Sequence, residues 1–109
     1  MGFEAFICYK QSSAKDFADH LKKGLEELGL HTFLDSKDLP GIVVGSEEWS
    51  KYRDAALLES RLFILIMTPG VELSSEVRKE IAMARKCGEK QFIFFRTFYR
   101  HIFNQIGCI

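Results

Sequence analysis

Cysteine is scarce in this sequence, and the cysteines present are not spaced as in common cross-linked frameworks. The 109 residues include three, Cys8, Cys87 and Cys108, with no CxxC pair and no histidine cluster beside them. An odd number at wide spacing argues against a disulfide scaffold and against a zinc site. Met1 leads directly into an apolar segment, without the charged and hydrophobic regions of a signal peptide. We therefore expect a protein of the reducing cytoplasm that holds no metal.

An excess of one charge and a long apolar run are also absent. Fifteen lysine and arginine residues balance fifteen aspartate and glutamate residues, and no block of like charge occurs. Binding to nucleic acid or to an anionic membrane usually rests on a positive excess. No apolar run approaches the ~20 residues that cross a bilayer. The composition thus predicts neither a nucleic-acid partner nor a membrane partner.

Glycine is missing where nucleotide-binding loops need it. Residues 10–13, which follow the first predicted strand, contain none. Walker loops and GxGxxG turns place glycine there so that the backbone can approach a phosphate. A phosphoacceptor receiver domain would need an acidic pair after the first strand and an aspartate after the third, where this chain has Lys10 and Thr68. Both of these small α/β classes are therefore disfavoured.

The sequence does contain a regular alternation of strand-like and helix-like segments. The predicted strands are Phe3–Tyr9, Leu30–Leu34, Leu62–Met67 and Gln91–Phe95, and the predicted helices run from Ser12 or Ser13 to Gly29, from Ser46 to about Glu59 and from Leu73 to Lys86. Crossovers of helical length imply a parallel sheet with helices on both faces. We expect one α/β domain over residues 1–109, with four strands or five, and residues 97–109 as a short C-terminal helix or tail.

The connection from Asp35 to Gly45 is longer than most links between a strand and a helix. It contains Pro40 and two glycines, and long loops inside compact domains are usually functional or disordered. Ligands of parallel sheets bind outside the carboxyl ends of the strands. Those ends fall at residues 8–11, 35–38 and 68–73. This edge of the sheet is the predicted site.

The third predicted helix places a carboxylate beside the core. Apolar residues recur there at helical spacing, at Leu73, Val77, Ile81 and Ala84. At about 100° per residue, Glu80 falls roughly 60° from Val77, at the margin of the buried face. A solvated helix glutamate, with Glu76 and Lys79 paired nearby, is the simpler interpretation of this pattern alone.

Five stretches in order resemble the Toll/interleukin-1 receptor (TIR) domain family. They are FEAFICYK, SAKDFADHLKKGLEELGLHTFLD, DLPGIVVGSEEW, SRLFILIMT and SSEVRKEIAMA, which together cover about Phe3 to Phe95. The resemblance implies a flavodoxin-like three-layer sandwich. Some members of the family act as scaffolds in immune signalling, and others, of the enzymatic type found in prokaryotes and elsewhere, cleave or cyclise NAD+.

The same resemblance implies roles for particular residues. Glu80, in EVRKEI, occupies the place of the catalytic glutamate, and residues 35–45 look like the BB loop that covers the site and takes part in assembly. Tyr9 and Lys10 would contact the base and the pyrophosphate, although core packing and a solvated strand end are the simpler interpretations of these two. Trp49 would pack beneath the loop or stack on a ring. The residues implied to bind NAD+ are Cys8, Tyr9, Lys10, Asp38, Leu39, Gly45, Trp49 and Ser74.

NAD+ would then be the substrate, and no tightly bound cofactor is expected. Nicotinamide leaves as a neutral molecule, so its departure needs no general acid, whereas the oxocarbenium ion that forms needs a nearby negative charge. Many enzymatic members carry a tryptophan four residues before the catalytic glutamate, where this chain has Glu76. A second carboxylate there would raise the pKa of Glu80 if both are desolvated. The alternative function is a non-catalytic module that self-associates, or pairs with other TIR domains, through residues 35–45 and the tail at 97–109.

Overall fold

A computed structural model describes residues 2–35 and 46–96, with the backbone alone at residues 11–13. The strands are β1 (Ala5–Cys8), β2 (Thr32–Phe33), β3 (Leu62–Met67) and β4 (Gln91–Arg96). The helices are α1 (Gln11–Glu27), α2 (Glu47–Glu59) and α3 (Ser75–Lys86), and a 3-10 turn (Val71–Leu73) precedes α3. The predicted loop spans residues 35–45, of which 36–45 lie outside the described residues, as does the predicted tail at 97–109.

The strands form one parallel sheet in the order β2-β1-β3-β4. Phe6 of β1 pairs with Phe33 on one side and with Phe63 on the other, which places β1 and β3 at the centre. The chain reverses its direction of strand addition between these two strands, and this is where ligands bind in such sheets. The predicted parallel α/β sheet is confirmed, with four strands in the part of the chain that the structure describes.

Alternation along β1 separates two apolar cores. Phe6 and Cys8 face α2 and α3, whereas Ile7 and the following Tyr9 face α1. The first core is lined mainly by Phe6, Cys8, Phe33, Trp49, Leu57, Phe63, Val77 and Ala84. The second contains Ile7, Tyr9, Ala14, Ala18, Leu34 and Ile66. The sheet is therefore the middle of three layers, as predicted.

Several predicted element boundaries are confirmed. Ser46 caps α2 by accepting a hydrogen bond from the Trp49 amide at 3.1 Å. Gly29 and Gly88 follow α1 and α3 with φ of 90° and 80°, the left-handed conformation that glycine adopts without a steric penalty. The predicted buried strand at Leu62–Met67 is β3 with the same bounds. Each of these signals acts within one turn or one strand, so it does not depend on distant contacts.

Two predictions about helix starts were wrong. Helix α1 begins at Gln11, because the Ala14 amide already donates to the Lys10 carbonyl, so Ser12 and Ser13 lie inside its first turn. Leu73 was expected on the buried face of the third helix and is instead 70% exposed. It ends the 3-10 turn, and the extended backbone at Ser74 interrupts the helical phase before α3 begins. Leu73 therefore does not share a face with Val77.

Candidate functional site

The Glu80 carboxyl group lies inside the protein, at the carboxyl end of β1. Helix α3 packs against the sheet through Val77 and Ala84, and Glu80 between them is 7% exposed. Its carboxyl group accepts a hydrogen bond from the thiol of Cys8, the last residue of β1. The helical spacing had placed Glu80 at the margin of the core, and the structure buries it more deeply. The solvated glutamate is therefore excluded.

A buried arginine lies between Glu80 and a second carboxylate. Arg53 of α2 is 6% exposed, and its guanidinium lies 4.9 Å from the centre of the Trp49 ring. Its Nη1 atom is 3.1 Å from Oε1 of Glu76 and 3.9 Å from Oε2 of Glu80, and its Nε donates to Asp54 at 3.0 Å. The closer partner, Glu76, is about one-third exposed. Arg53 is thus paired closely with Asp54 through Nε and with Glu76 through Nη1, and only loosely with Glu80.

The pKa of Glu80 is raised to about 8, and burial is the largest cause of the shift. The Cys8 hydrogen bond and the charge of Arg53 oppose this shift, while the charges of Asp35 and Glu76 add to it. The expected contribution of Glu76 is therefore present, but it is smaller than that of desolvation. The ligand-free protein accordingly holds Glu80 largely protonated at neutral pH. Burial also raises the pKa of the Cys8 thiol, so Cys8 acts as a hydrogen-bond donor and not as a nucleophile.

Tyr9 lies on the other face of the sheet from Glu80. Its ring is buried against α1, and its hydroxyl group donates to Oδ1 of Asp35 at 2.7 Å. Cys8, the last residue of β1, and Leu65, its register partner in β3, share the Glu80 face, because side chains alternate along a strand. The structure thus brings Cys8, but not Tyr9, to the carboxyl group of Glu80.

Lys10 extends across the carboxyl edge of the sheet. Its Nζ atom lies 3.3 Å from the point that a Cβ atom on Gly70 would occupy. Gly70, which has φ of 84°, lies in the turn after β3. Because this residue is a glycine, the ammonium group lies beside a backbone that carries no side chain. The end of β1 and the turn after β3 are therefore bridged by a cation at the point where an anionic ligand of such a sheet would bind.

The remaining predicted site residues divide into two groups. Trp49 is 2% exposed and anchors α2 in the core beside Arg53, and Ser74 caps α3 by accepting from the Val77 amide at 3.3 Å. Asp38, Leu39 and Gly45 lie outside the residues that the structure describes. Over the described ranges 2–35 and 46–96, no cluster of three His, Cys, Asp or Glu side chains could hold a metal ion, and no helix is long and apolar enough to cross a membrane.

Arg53 is the site residue that sequence reasoning missed. It follows Trp49 by four residues and precedes Ala56 and Leu57 on the same stripe of α2, and all three of these neighbours are buried. An arginine on an apolar stripe is a signal, because a buried guanidinium needs an anionic partner. The signal does not reveal which carboxylate is the partner, since Glu76 lies 23 residues further along the chain.

Replacing Ser74 with alanine is expected to destabilise the protein by about 1 kcal/mol, because the first turn of α3 loses its side-chain cap. The matched control is Ser75→Ala, since Ser75 is exposed and is the first residue inside the helix. Urea unfolding of both variants measures the difference. A Ser74→Ala protein as stable as the Ser75→Ala control would show that the cap contributes nothing.

The comparisons with known proteins agree with this geometry. The family model described as TIR domain matches residues 5–100. The structure is similar to the TIR domain of the Toll-related receptor TRR-2 from Hydra magnipapillata, with a TM-score of 0.63 and 21% identity, covering 84% of this chain and 68% of that one. At this identity the likeness shows the fold alone.

A second similar structure is that of the TIR domains of the activated Roq1 resistosome, which directly recognises the pathogen effector XopQ. The TM-score is 0.61 at 27% identity, and the match covers 90% of this chain. This chain spans 58% of the length of the Roq1 chain. No curated protein matches the sequence. The family match over residues 5–100, together with the parallel sheet in the order β2-β1-β3-β4, shows that this chain belongs to the TIR domain family.

Proposed function

We propose that this TIR domain cleaves the bond between nicotinamide and ribose in NAD+, with Glu80 as the catalytic residue. The observation that carries the proposal is a buried carboxyl group at the carboxyl end of a central parallel strand, held by Cys8 and close to Arg53. Ligands of parallel sheets bind at this edge. A titratable group with a strongly raised pKa in such a position is a candidate for chemistry.

The reaction requires one negative charge close to C1′ of the ribose. As the bond from C1′ of the ribose to the nicotinamide nitrogen breaks, the nitrogen keeps the electron pair and nicotinamide leaves neutral. The positive charge passes to the ribose as an oxocarbenium ion, which a carboxylate close to C1′ stabilises. Water then attacks C1′ to give ADP-ribose, or the adenine ring attacks to give a cyclic product, and in either case one proton is released to the solvent. Glu80 would supply the negative charge in either case.

The raised pKa of Glu80 fits this role once substrate binds. Burial holds the pKa at about 8 in the ligand-free protein, where the carboxyl group is largely neutral. The nicotinamide ring of NAD+ is a cation, and a positive charge within a few ångströms lowers a carboxyl pKa by about 1–3 units. Substrate binding would therefore ionise Glu80 at neutral pH. The negative charge of Glu80 would therefore form next to the ribose carbon that becomes cationic.

Other residues at this edge of the sheet would bind the rest of the substrate. Lys10 lies beside Gly70, where it can pair with the pyrophosphate. Cys8 orients the Glu80 carboxyl group through its hydrogen bond. Trp49 would act indirectly, by packing against Arg53. Ser74 would also act indirectly, by capping the start of α3. The proposal assigns Asp38, Leu39 and Gly45 to a loop over the substrate, requires no tightly bound cofactor and places the protein in the cytoplasm.

A non-catalytic interaction module is the second candidate. Glu76 supports it, because many enzymatic members have a tryptophan there. The Roq1 TIR domains belong to an assembly, the resistosome. By analogy, residues 35–45 of this chain would contact a second copy or another TIR domain. Self-association fits the enzymatic proposal as well, if a neighbouring copy completes the site.

Nicotinamide release from NAD+, measured over a range of protein concentrations, tests both candidates. We expect the rate per chain to rise with concentration in step with assembly, which sedimentation velocity follows in the same samples. The physical reason is that a site completed by a neighbour exists only in the assembled fraction. A rate per chain that stays constant while assembly changes would contradict a shared site. No release from fully assembled protein would contradict the enzymatic proposal and favour the interaction module.

A further inference from the structure

A single nitrogen atom of Arg53 lies between two glutamates of α3. Nη1 is 3.1 Å from Glu76 and 3.9 Å from Glu80, so one cation lies within reach of both carboxyl groups. The guanidinium is fixed from a third side by the Trp49 ring at 4.9 Å. Glu76 and Glu80 are one helical turn apart, which places them on one side of α3 facing α2.

An arginine does not lose its proton in a protein, so a buried one must be neutralised by an anion. If Glu80 supplied that anion, its negative charge would be neutralised by Arg53 and could not stabilise a cation formed on the substrate. The Glu76 side chain is 34% exposed, so water still solvates part of its carboxyl group, whereas the Glu80 side chain is 8% exposed. Asp54 already pairs with Nε of Arg53 at 3.0 Å. Of the two glutamates that face Nη1, Glu76 is therefore the better partner, and the 3.1 Å contact is formed with it.

We propose that Arg53 and Glu76 are positioning residues: Glu76 holds the Arg53 guanidinium in the closer contact, so that Arg53 does not neutralise the negative charge that Glu80 gains when substrate binds. The role of the Glu80 charge in catalysis rests on the proposed function. The contacts of Arg53 Nη1 with Glu76 and Glu80 do not. The glutamate in the place of the tryptophan of other enzymatic members thereby acquires a role. By holding Arg53, Glu76 determines how strongly the positive charge of Arg53 interacts with the Glu80 carboxyl group.

The charged and titratable groups around Glu80 come from every element packed against it. Cys8 faces it from β1, Asp35 from the residues after β2, Arg53 from α2 and Glu76 from its own helix. Asp54 also contacts Arg53, and Lys79, which is 64% exposed, contacts Glu76 at 3.6 Å. Variants at Arg53 and Glu76 leave Cys8 and Asp35 in place, so a change in the titration of Glu80 reports on the arginine and its partner.

The titration of Glu80 can be followed directly by the NMR shift of its 13C-labelled carboxyl carbon, which is assigned by its absence in Glu80→Gln. Arg53→Met is expected to raise the midpoint by about one pH unit or more, because a nearby cation is lost. Glu76→Gln is expected to lower it, because Nη1 of Arg53 is freed to pair with Glu80 while Nε stays paired with Asp54. Lys79→Met, which removes an exposed cation from the same Glu76, is the control and should leave the midpoint nearly unchanged.

The double variant Arg53→Met/Glu76→Gln shows whether Glu76 acts through Arg53 or whether the two charges act on Glu80 independently. If Glu76 acts through Arg53, Glu76→Gln lowers the midpoint less in the Arg53→Met background than in the native chain. Equal shifts in the two backgrounds would show two independent charges and would overturn the proposal. If Arg53→Met does not fold, Arg53→Gln serves as the background, since glutamine removes the charge but keeps polar groups that can form hydrogen bonds. A Glu76→Gln shift as large in the Arg53→Gln background as in the native chain would overturn it too.

The pH profile of nicotinamide release distinguishes failure of this proposal from failure of the proposed function. The acid limb of kcat/KM, which reports groups of the free enzyme, is expected to move with the NMR midpoint in each variant, which a merely structural role would not produce. Midpoints that move as expected in a protein that releases no nicotinamide would support the Arg53 role and contradict the enzymatic function. Release with midpoints that do not move would support the enzyme and overturn the role of Arg53.

Discussion

Replacing Glu80 with glutamine is expected to reduce nicotinamide release from NAD+ by about 10²–10³-fold, the usual loss when one electrostatic stabiliser of a transition state is removed. Glutamine keeps the size of the side chain and can still accept the Cys8 hydrogen bond. It cannot supply the negative charge that the ribosyl cation needs. The measurement is nicotinamide released per chain at a protein concentration where the native chain is assembled.

The matched control is Glu89→Gln. It makes the same chemical change at an exposed residue beyond the far end of α3, so turnover should match that of the native chain. Assembly of both variants is checked by sedimentation. If Glu80→Gln releases nicotinamide at the native rate, Glu80 is not the catalytic residue, even if the protein is an enzyme.

The second expected result concerns stability. The free energy of unfolding should contain a contribution from Glu80 that is largest below pH 4.5 and falls as the pH rises to about 8, the folded-state pKa. Between these values the folded protein keeps the Glu80 proton and the unfolded chain has lost it, so unfolding releases a proton and is favoured by rising pH. The contribution falls by about 1.4 kcal/mol per pH unit in this window and is constant above it.

Urea unfolding at pH 5.5 and pH 7.5 measures this contribution, because glutamine does not titrate. The stability of Glu80→Gln relative to the native chain should increase by about 2–3 kcal/mol between these two pH values. Glu89→Gln should show almost no such change, since Glu89 is exposed. A difference between native chain and Glu80→Gln that is the same at both pH values would mean that Glu80 titrates normally and is not desolvated.

The two results are independent tests of one side chain. The first asks whether Glu80 acts on a substrate, and the second asks whether the fold buries it as a neutral acid. A protein that passes the stability test and releases no nicotinamide would contain the buried acid without the reaction. In that case the raised pKa of Glu80 would be a property of packing between β1, α2 and α3.

Much of the fold follows from local signals in the sequence. The apolar run Leu62–Met67 is long enough for a buried strand and too short for a helix, and it forms β3. Ser46 starts α2 and Gly29 follows α1, because a hydroxyl group can accept from an orphan amide and glycine tolerates positive φ. The parallel order follows from crossovers of helical length. These effects act over a few residues, so the sequence by itself determined the elements and the edge of the sheet where the candidate site lies.

Tertiary structure decided which side chains meet at that edge. Cys8 and Tyr9 are neighbours in sequence, yet only Cys8 reaches Glu80, because the pleat of β1 turns Tyr9 toward α1 and Asp35. Leu73 is exposed because a 3-10 turn shifts the phase of the helix that follows. Side-chain direction depends on where each element begins, and an error of one residue changes the face.

The charged residues of the site also show which features follow from the sequence and which depend on tertiary packing. The sequence places Glu80 near an apolar face and Arg53 on an apolar stripe, but their separation of 27 positions gives no distance between them. Only the packing of α2 against α3 brings the guanidinium to 3.1 Å from Glu76 and 3.9 Å from Glu80. The pKa of Glu80 then follows from burial and from these neighbours. Residue types and their periodicity are local properties, whereas desolvation and Coulomb interactions depend on distances in space, which only the packed fold determines.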